Sequence, residues 1–219
     1  MSLDIATARR DTPAVERLVH FNNAGASLMP TPVYDAFVGH VAREREIGGY
    51  EAAAEARPAL DRFYDATAAL LGAHPGEIAF MESATRAWNA AFHSLRWQPG
   101  DRVVTTPAEY ASNYIAFLQA RARFGIEIDV VPDDDMGEVD LAALEAALDR
   151  PGVRLVALTH VPTSGGLVNP AAEVGRLARA AGVLFLLDAC QSAGQMPLDV
   201  ETLGCDFLSA TGRKFLRGP

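Results

Sequence analysis

Lysine is nearly missing from this chain: Lys214 is the only one among nineteen basic residues, and the rest are arginine. Cysteine is almost as scarce, with Cys190 and Cys205 alone, which leaves no disulfide framework. The five histidines, His20, His40, His74, His93 and His160, lack metal-ligand spacing, so no metal is expected. No apolar run approaches the roughly 20 residues that span a bilayer, and no signal peptide is recognisable. No membrane association and a cytoplasmic location are therefore expected. Basic clusters are absent and the net charge is −9, so the electrostatic footprint of a nucleic-acid binder is missing too. Neither a Gly-x-Gly-x-x-Gly after a strand nor a Gly-x-x-x-x-Gly-Lys-Ser/Thr occurs, which removes the main support for dinucleotide and P-loop sites.

What is present fits an ordinary globular protein. The 219 residues are 49% hydrophobic and 21% charged, enough for one sizeable core and too apolar for disorder. Apolar runs at 102–106, 126–131, 153–160 and 183–187 read as strands, with shorter ones at 77–81 and 207–210. Helical patterns alternate with them, including Tyr50 to Leu71 with Pro58 as a kink or restart, Leu141 to Leu148, and Ala171 to Ala181. A helix is also read as opening at Pro107. This alternation predicts an α/β fold, a three-layer sandwich around a mostly parallel sheet with helices on both faces. Asp133, Asp134 and Asp135 read as a solvated loop, because nothing beside them completes a coordination set.

The most informative stretch is 182–219. Val183 to Leu187 is an apolar run of strand length bounded by Gly182 and Asp188, as a parallel strand buried on both faces requires. That puts the Asp188 carboxylate at the carboxyl end of a core strand, the edge where open α/β sheets bind ligands. Such a carboxylate needs a cationic or hydrogen-bonding partner, which a protonated pyridine nitrogen supplies, and Gln191 follows three residues later. An Asp that caps the following turn fits the same position. Lys214 follows the short segment Phe207-Leu-Ser-Ala and stands next to Arg213. A lysine whose ammonium is disfavoured by desolvation and a neighbouring cation becomes a nucleophilic amine, which arginine cannot. An exposed surface lysine is the plainer alternative.

Asp188-Ala-Cys-Gln191 after a strand, followed by Asp206-Phe-Leu-Ser-Ala-Thr-Gly-Arg-Lys214-Phe-Leu-Arg-Gly-Pro, resembles the pyridoxal-phosphate (PLP) enzymes of the class V aminotransferase family. That family includes cysteine desulfurases, selenocysteine lyases, kynureninases and isopenicillin N epimerase-like proteins. The resemblance covers nearly the whole chain and implies a PLP-dependent enzyme acting on a small amino-acid substrate, as a C–S lyase or an aminotransferase, and a homodimer in the full-length form. It makes Lys214 the Schiff-base lysine and proton carrier, and Asp188 the partner of the pyridine nitrogen. Gln191 and Thr163 would bond the ring oxygen, Tyr110 would cover one ring face, and Ser83, Ala84 and Thr85 with Thr211 would hold the phosphate. Arg213 adds a positive charge there. Asn23, Ala24 and Gly25 would line the substrate side, within an N-terminal arm (1–25) that precedes the large domain (26–219).

The chain departs from the family pattern in four places. Ser83-Ala84-Thr85 replaces Gly-Thr-Thr, Tyr110 and Arg213 each replace a histidine, and Thr163 replaces an asparagine. A tyrosine stacks as well as an imidazole but does not carry protons near neutral pH. By that resemblance, the changes at Tyr110, Thr163 and Arg213 point away from housekeeping cysteine desulfurases and toward the broader lyase and epimerase-like branches. Family enzymes are roughly twice as long, so the sequence is expected to be a fragment that stops just after the lysine, without the small C-terminal domain. A non-catalytic α/β domain retaining the cofactor-site residues is the alternative. The local readings also stay open: Ser83 suits a helix N-cap, Asn23 to Gly25 suit a turn, and the Gly165-Gly166 stretch suits a plain loop.

Overall fold

The computed structural model describes residues 4–219, which divide into two compact units. The first comprises 4–69, 74–78 and 212–219; the second comprises 70–73 and 79–211.

In the first unit, α1 (Ile5–Arg10) is capped by the Asp4 side chain, which accepts from the Thr7 N–H. The expected arm is therefore partly helical, with a 3-10 turn at Pro13–Glu16 after it. α2 (Thr31–Ile47) starts where Pro30 and Pro32 favour a first turn, and ends at Gly48, whose φ of 97° suits only glycine well. α3 (Gly49–Leu71) continues through Pro58 without a break, and its last two residues belong to the second unit. Arg43 on α2 forks onto Glu55 of α3 with two 2.8 Å bonds. Both groups are exposed, so this fixes the pairing of the helices more than it stabilises them.

The second unit is a five-stranded sheet of order β2-β1-β3-β4-β5 in which every pairing is parallel. The strands are β1 (Arg102–Thr105), β2 (Glu127–Val130), β3 (Val153–Thr159), β4 (Leu184–Asp188) and β5 (Phe207–Ser209). Successive residues alternate between two cores. Val103, Leu155, Ala157 and Leu186 face one side with Trp88 and Phe92 of α4 (Ala84–Ser94) and Phe117 of α5 (Ala111–Phe124). Val104, Val156, Leu158, Phe185 and Leu187 face the other side, with α6 (Leu141–Leu148), α7 (Ala171–Ala181) and α8 (Val200–Leu203). The expected three-layer sandwich is thus present, and burial on both faces explains why β3 and β4 read as unbroken apolar runs.

Two local expectations fail. Residues 77–81 form no strand: Phe80 and Met81 are exposed, and the apolar run joins none of the ladders of the sheet. Pro107 does not open a helix either. Glu109 turns its own carboxylate back to accept the Tyr110 N–H at 2.8 Å, and α5 begins only at Ala111. The aspartate triplet is a turn, with Asp134 Oδ1 accepting from the Met136 and Glu138 N–H groups.

Candidate functional site

The strand order reverses beside β1: the chain goes from β1 to β2 on one side and then returns to β3 on the other. The crevice at the carboxyl ends of β1 and β3 is the binding position that this topology creates. Three strand ends deliver polar groups to it: Thr105, the last residue of β1, with Thr106 after it; Thr159, the last of β3, with His160 after it; and Asp188 at the end of β4.

Asp188 is 5% exposed, and both of its oxygens are engaged. Oδ2 accepts from the Asn113 amide of α5 at 2.9 Å, and Oδ1 accepts from the Cys190 N–H at 3.0 Å. The capping reading of Asp188 is thus realised, and it leaves each oxygen a further lone pair for a cation. The following turn is tied down from below. The His160 backbone N–H donates to the Asp188 carbonyl at 2.9 Å, and His160 Nδ1 lies 3.0 Å from Ser192 Oγ. Desolvation holds the His160 imidazole below the usual histidine range. Gln191 is buried in that turn, with its amide donating to Thr163 Oγ1 at 3.3 Å. Those two residues, expected to share one ligand atom, therefore meet.

Glu109 is the second carboxylate of the site. Its Oε1 accepts from Thr159 Oγ1 at 2.6 Å, from the Tyr110 N–H at 2.8 Å and from Asn113 Nδ2 at 2.9 Å, while the Thr105 hydroxyl lies 3.2 Å from Oε2. Withdrawal from water pushes this carboxyl above its ordinary range, and the Asp188 charge pushes the same way against the hydrogen bonds. Tyr110 is 39% exposed as the N-cap of α5, and its backbone N–H also reaches Thr159 Oγ1. Ser83, Ala84 and Thr85 lie at the N-terminus of α4, and Ser83 is the N-cap, accepting from the Arg86 N–H. Thr85 Oγ1 is 3.4 Å from Ser112 Oγ, next to Asn113. Thr211 is buried two residues past β5.

The remaining candidates lie in the first unit. Asn23 to Gly25 form a turn closed by Asn22, whose side-chain oxygen accepts the Gly25 N–H at 3.0 Å. Asn23 lines an open cavity of about 480 Å³ with His20, Leu28 and Arg217. Two residues past the turn, the Ser27 N–H donates to the Arg213 carbonyl at 2.9 Å, so the Asn23–Gly25 stretch and the lysine segment are held together. Arg213 is exposed, whereas Lys214 is 5% exposed, contrary to the plain surface reading. Arg217 anchors the segment by donating to the Leu28 carbonyl and Thr12 Oγ1.

Sequence reasoning missed Glu109, Asn113, Thr159, His160 and Ser192. A signal did exist: Glu109 and Asn113 are four apart across a helix start, and Thr159-His160 ends an apolar strand on polar residues. Among the described residues no group of three metal-binding side chains converges, and no helix is long and apolar enough to cross a membrane.

A parallel α/β sheet with a buried aspartate and a glutamine-bearing turn at its carboxyl edge matches the fold of PLP-dependent transferases. The family model described as aminotransferase class-V matches residues 19–219, and the chain belongs to that family. It is 34% identical over 214 residues to a probable cysteine desulfurase of Methanothermobacter thermautotrophicus, covering 96% of this chain and 53% of the relative. It is 31% identical over 216 residues to one of Pyrococcus abyssi, with 96% and 53% covered. The apo structure of a cysteine desulfurase from Thermococcus onnurineus NA1 superposes with a TM-score of 0.88 at 29% identity, covering 100% of this chain and 56% of that one. A C-DES mutant with glycine covalently linked to its PLP cofactor gives a TM-score of 0.89 at 27% identity, with 96% and 57% covered. The chain spans about half the length of the curated relatives it matches.

Proposed function

We propose that this chain forms the cofactor-binding large part of a PLP-dependent enzyme acting on an amino acid, a carbon–sulfur lyase of the cysteine desulfurase type. The observation that carries the reading is Asp188, buried at the end of β4 with both oxygens ordered by N–H donors and Gln191 in the same turn. That donor set fits the cofactor. An ordered anionic carboxylate suits a protonated pyridine nitrogen, and the N-terminal turn of α4 with Ser83, Ala84 and Thr85 suits a phosphate.

When bound, PLP supplies an electron sink for charge developing at the substrate Cα. The residues divide the remaining work. Asp188 keeps the ring nitrogen protonated, Gln191 and Thr163 orient the ring oxygen, and Tyr110 covers one ring face. Ser83, Ala84, Thr85 and Thr211 hold the phosphate, with charge added by Arg213. Lys214 Nζ would hold the cofactor through its carbonyl carbon and, once displaced from it by the substrate amine, would be the base that moves the proton at Cα. Asn23, Ala24 and Gly25 line the substrate side. We further propose that the protein works as a homodimer in the cytoplasm; a row of exposed apolar residues on α2 supports the dimer.

The test is uptake of PLP by the wild-type chain and a Lys214→Ala variant. A visible absorbance band that survives dialysis and is fixed by borohydride only in the wild type supports the assignment. Equal trapping in both proteins removes Lys214 from its role, and no uptake by either one rejects cofactor binding by this chain.

A further inference from the structure

Asn113 stands between the two carboxyl groups of the site. It is 1% exposed, and its Nδ2 donates to Glu109 Oε1 and to Asp188 Oδ2, each at 2.9 Å. The two ends of a side-chain amide have nearly the same shape, so its partners decide which way it faces. Here two carboxyl oxygens take the nitrogen's two hydrogens, while Oδ1 turns to the Ser112 hydroxyl at 3.5 Å. What Asn113 gives Asp188 is a reference outside its own strand. The Cys190 N–H on Oδ1 comes from two residues along the same turn, and that bond alone leaves the carboxylate free to swing about it. The bond on Oδ2 comes from α5 and removes that freedom. Asn113 is itself anchored, because Glu109 Oε1 also accepts from Thr159 Oγ1 at 2.6 Å and from the Tyr110 N–H at 2.8 Å. The end of β4 is thereby tied to the end of β3 through the first turn of α5.

We propose that Asn113 is a positioning residue which, with its amide oriented by Glu109, holds the Asp188 carboxylate in the direction that meets the cofactor's ring nitrogen. The inference rests on the cofactor reading for its purpose. Asn113 acts through Asp188, so its effect is felt at the ring nitrogen and not at the phosphate or the ring oxygen. A residue that merely fills space under the site would affect every part of the ligand alike.

The test titrates the full chain with PLP and with its analogue that has carbon in place of the ring nitrogen, following fluorescence. Asn113→Ala is expected to weaken PLP binding about tenfold and binding of the analogue less than about twofold. Asn113→Ser, a milder change that keeps one donor, should show the same preference with a smaller loss, as should Glu109→Ala, which frees the amide. In an Asp188→Ala background, Asn113→Ala should cost PLP less than about twofold, because the group it orients is gone. Equal loss for both ligands, or an undiminished loss without Asp188, makes Asn113 a packing residue and overturns the proposal. A second arm follows the Asn113 side-chain amide protons by NMR without cofactor. Both should exchange slowly with solvent, one becoming labile in Glu109→Ala and the other in Asp188→Ala; free exchange of both in the wild type overturns the clamp. If the wild type takes up neither ligand, the cofactor reading fails, while the exchange arm still decides whether Asn113 holds Asp188.

Discussion

His160 is 4% exposed, with its ring held on Ser192 and burial disfavouring its charged form. Its folded-state proton affinity lies below that of an unfolded histidine, near 6.5, so the folded state binds fewer protons than the unfolded one below that pH. Stability is therefore lost as pH falls below about 6.5. An asparagine placed at 160 puts an amide atom near the Nδ1 position without a titrating group. Urea melts at pH 7.5 and 5.5 should show a smaller acid loss for His160→Asn than for wild type; an equal loss would assign the acid sensitivity elsewhere. At this scale the sequence was legible where one residue type was decisive. Asp188 and the solitary Lys214 stood out, and both are buried. Glu109 and Asn113 did not, because their significance is the bond each makes to a residue brought close by a different strand.

Among the elements, α7 and α8 meet through glycine. A methyl group built on Gly175 would lie 2.0 Å from the Leu203 carbonyl oxygen, far inside contact distance, and that carbonyl ends a helix stopped by Gly204 at φ 64°. Gly175→Ala must push the two helices apart and is expected to cost about 2 kcal/mol, in the range of overpacked core positions, read as a lowered urea midpoint. A midpoint unchanged from wild type would show that the contact yields freely. Elements with a clean burial pattern were the easiest to recognise: Ala171–Ala181, buried on one face, has the bounds expected of it, and β3 and β4, buried on both, follow from their apolar runs. The expected strand at 77–81 failed because an apolar run alone does not make a strand without a ladder partner. The late start of α5 was hidden because a carboxylate turned back on its own backbone leaves no periodic trace.

For the whole molecule, the exposed apolar residues of α2 matter most. Tyr34, Phe37, Val38 and Val41 fall at helical spacing on one face, each at least 42% exposed. A stripe of that kind marks a surface made to be covered. Sedimentation of the purified chain should show self-association that a Phe37→Glu/Val41→Glu double variant reduces at least about tenfold in affinity; an unaffected association would place the contact elsewhere. The all-parallel sheet has a further consequence, in time rather than in space. β1 pairs with β3 across an intervening helix, strand and helix, with Arg102 in register with Val153, and no two neighbouring strands are joined by a hairpin. Each ladder must wait until a long crossover has closed, which places such topologies among the slow folders. During that interval the apolar strands are unpaired and open to one another across molecules, so the concentration at which the chain is made or refolded governs how much of it arrives at the native sheet.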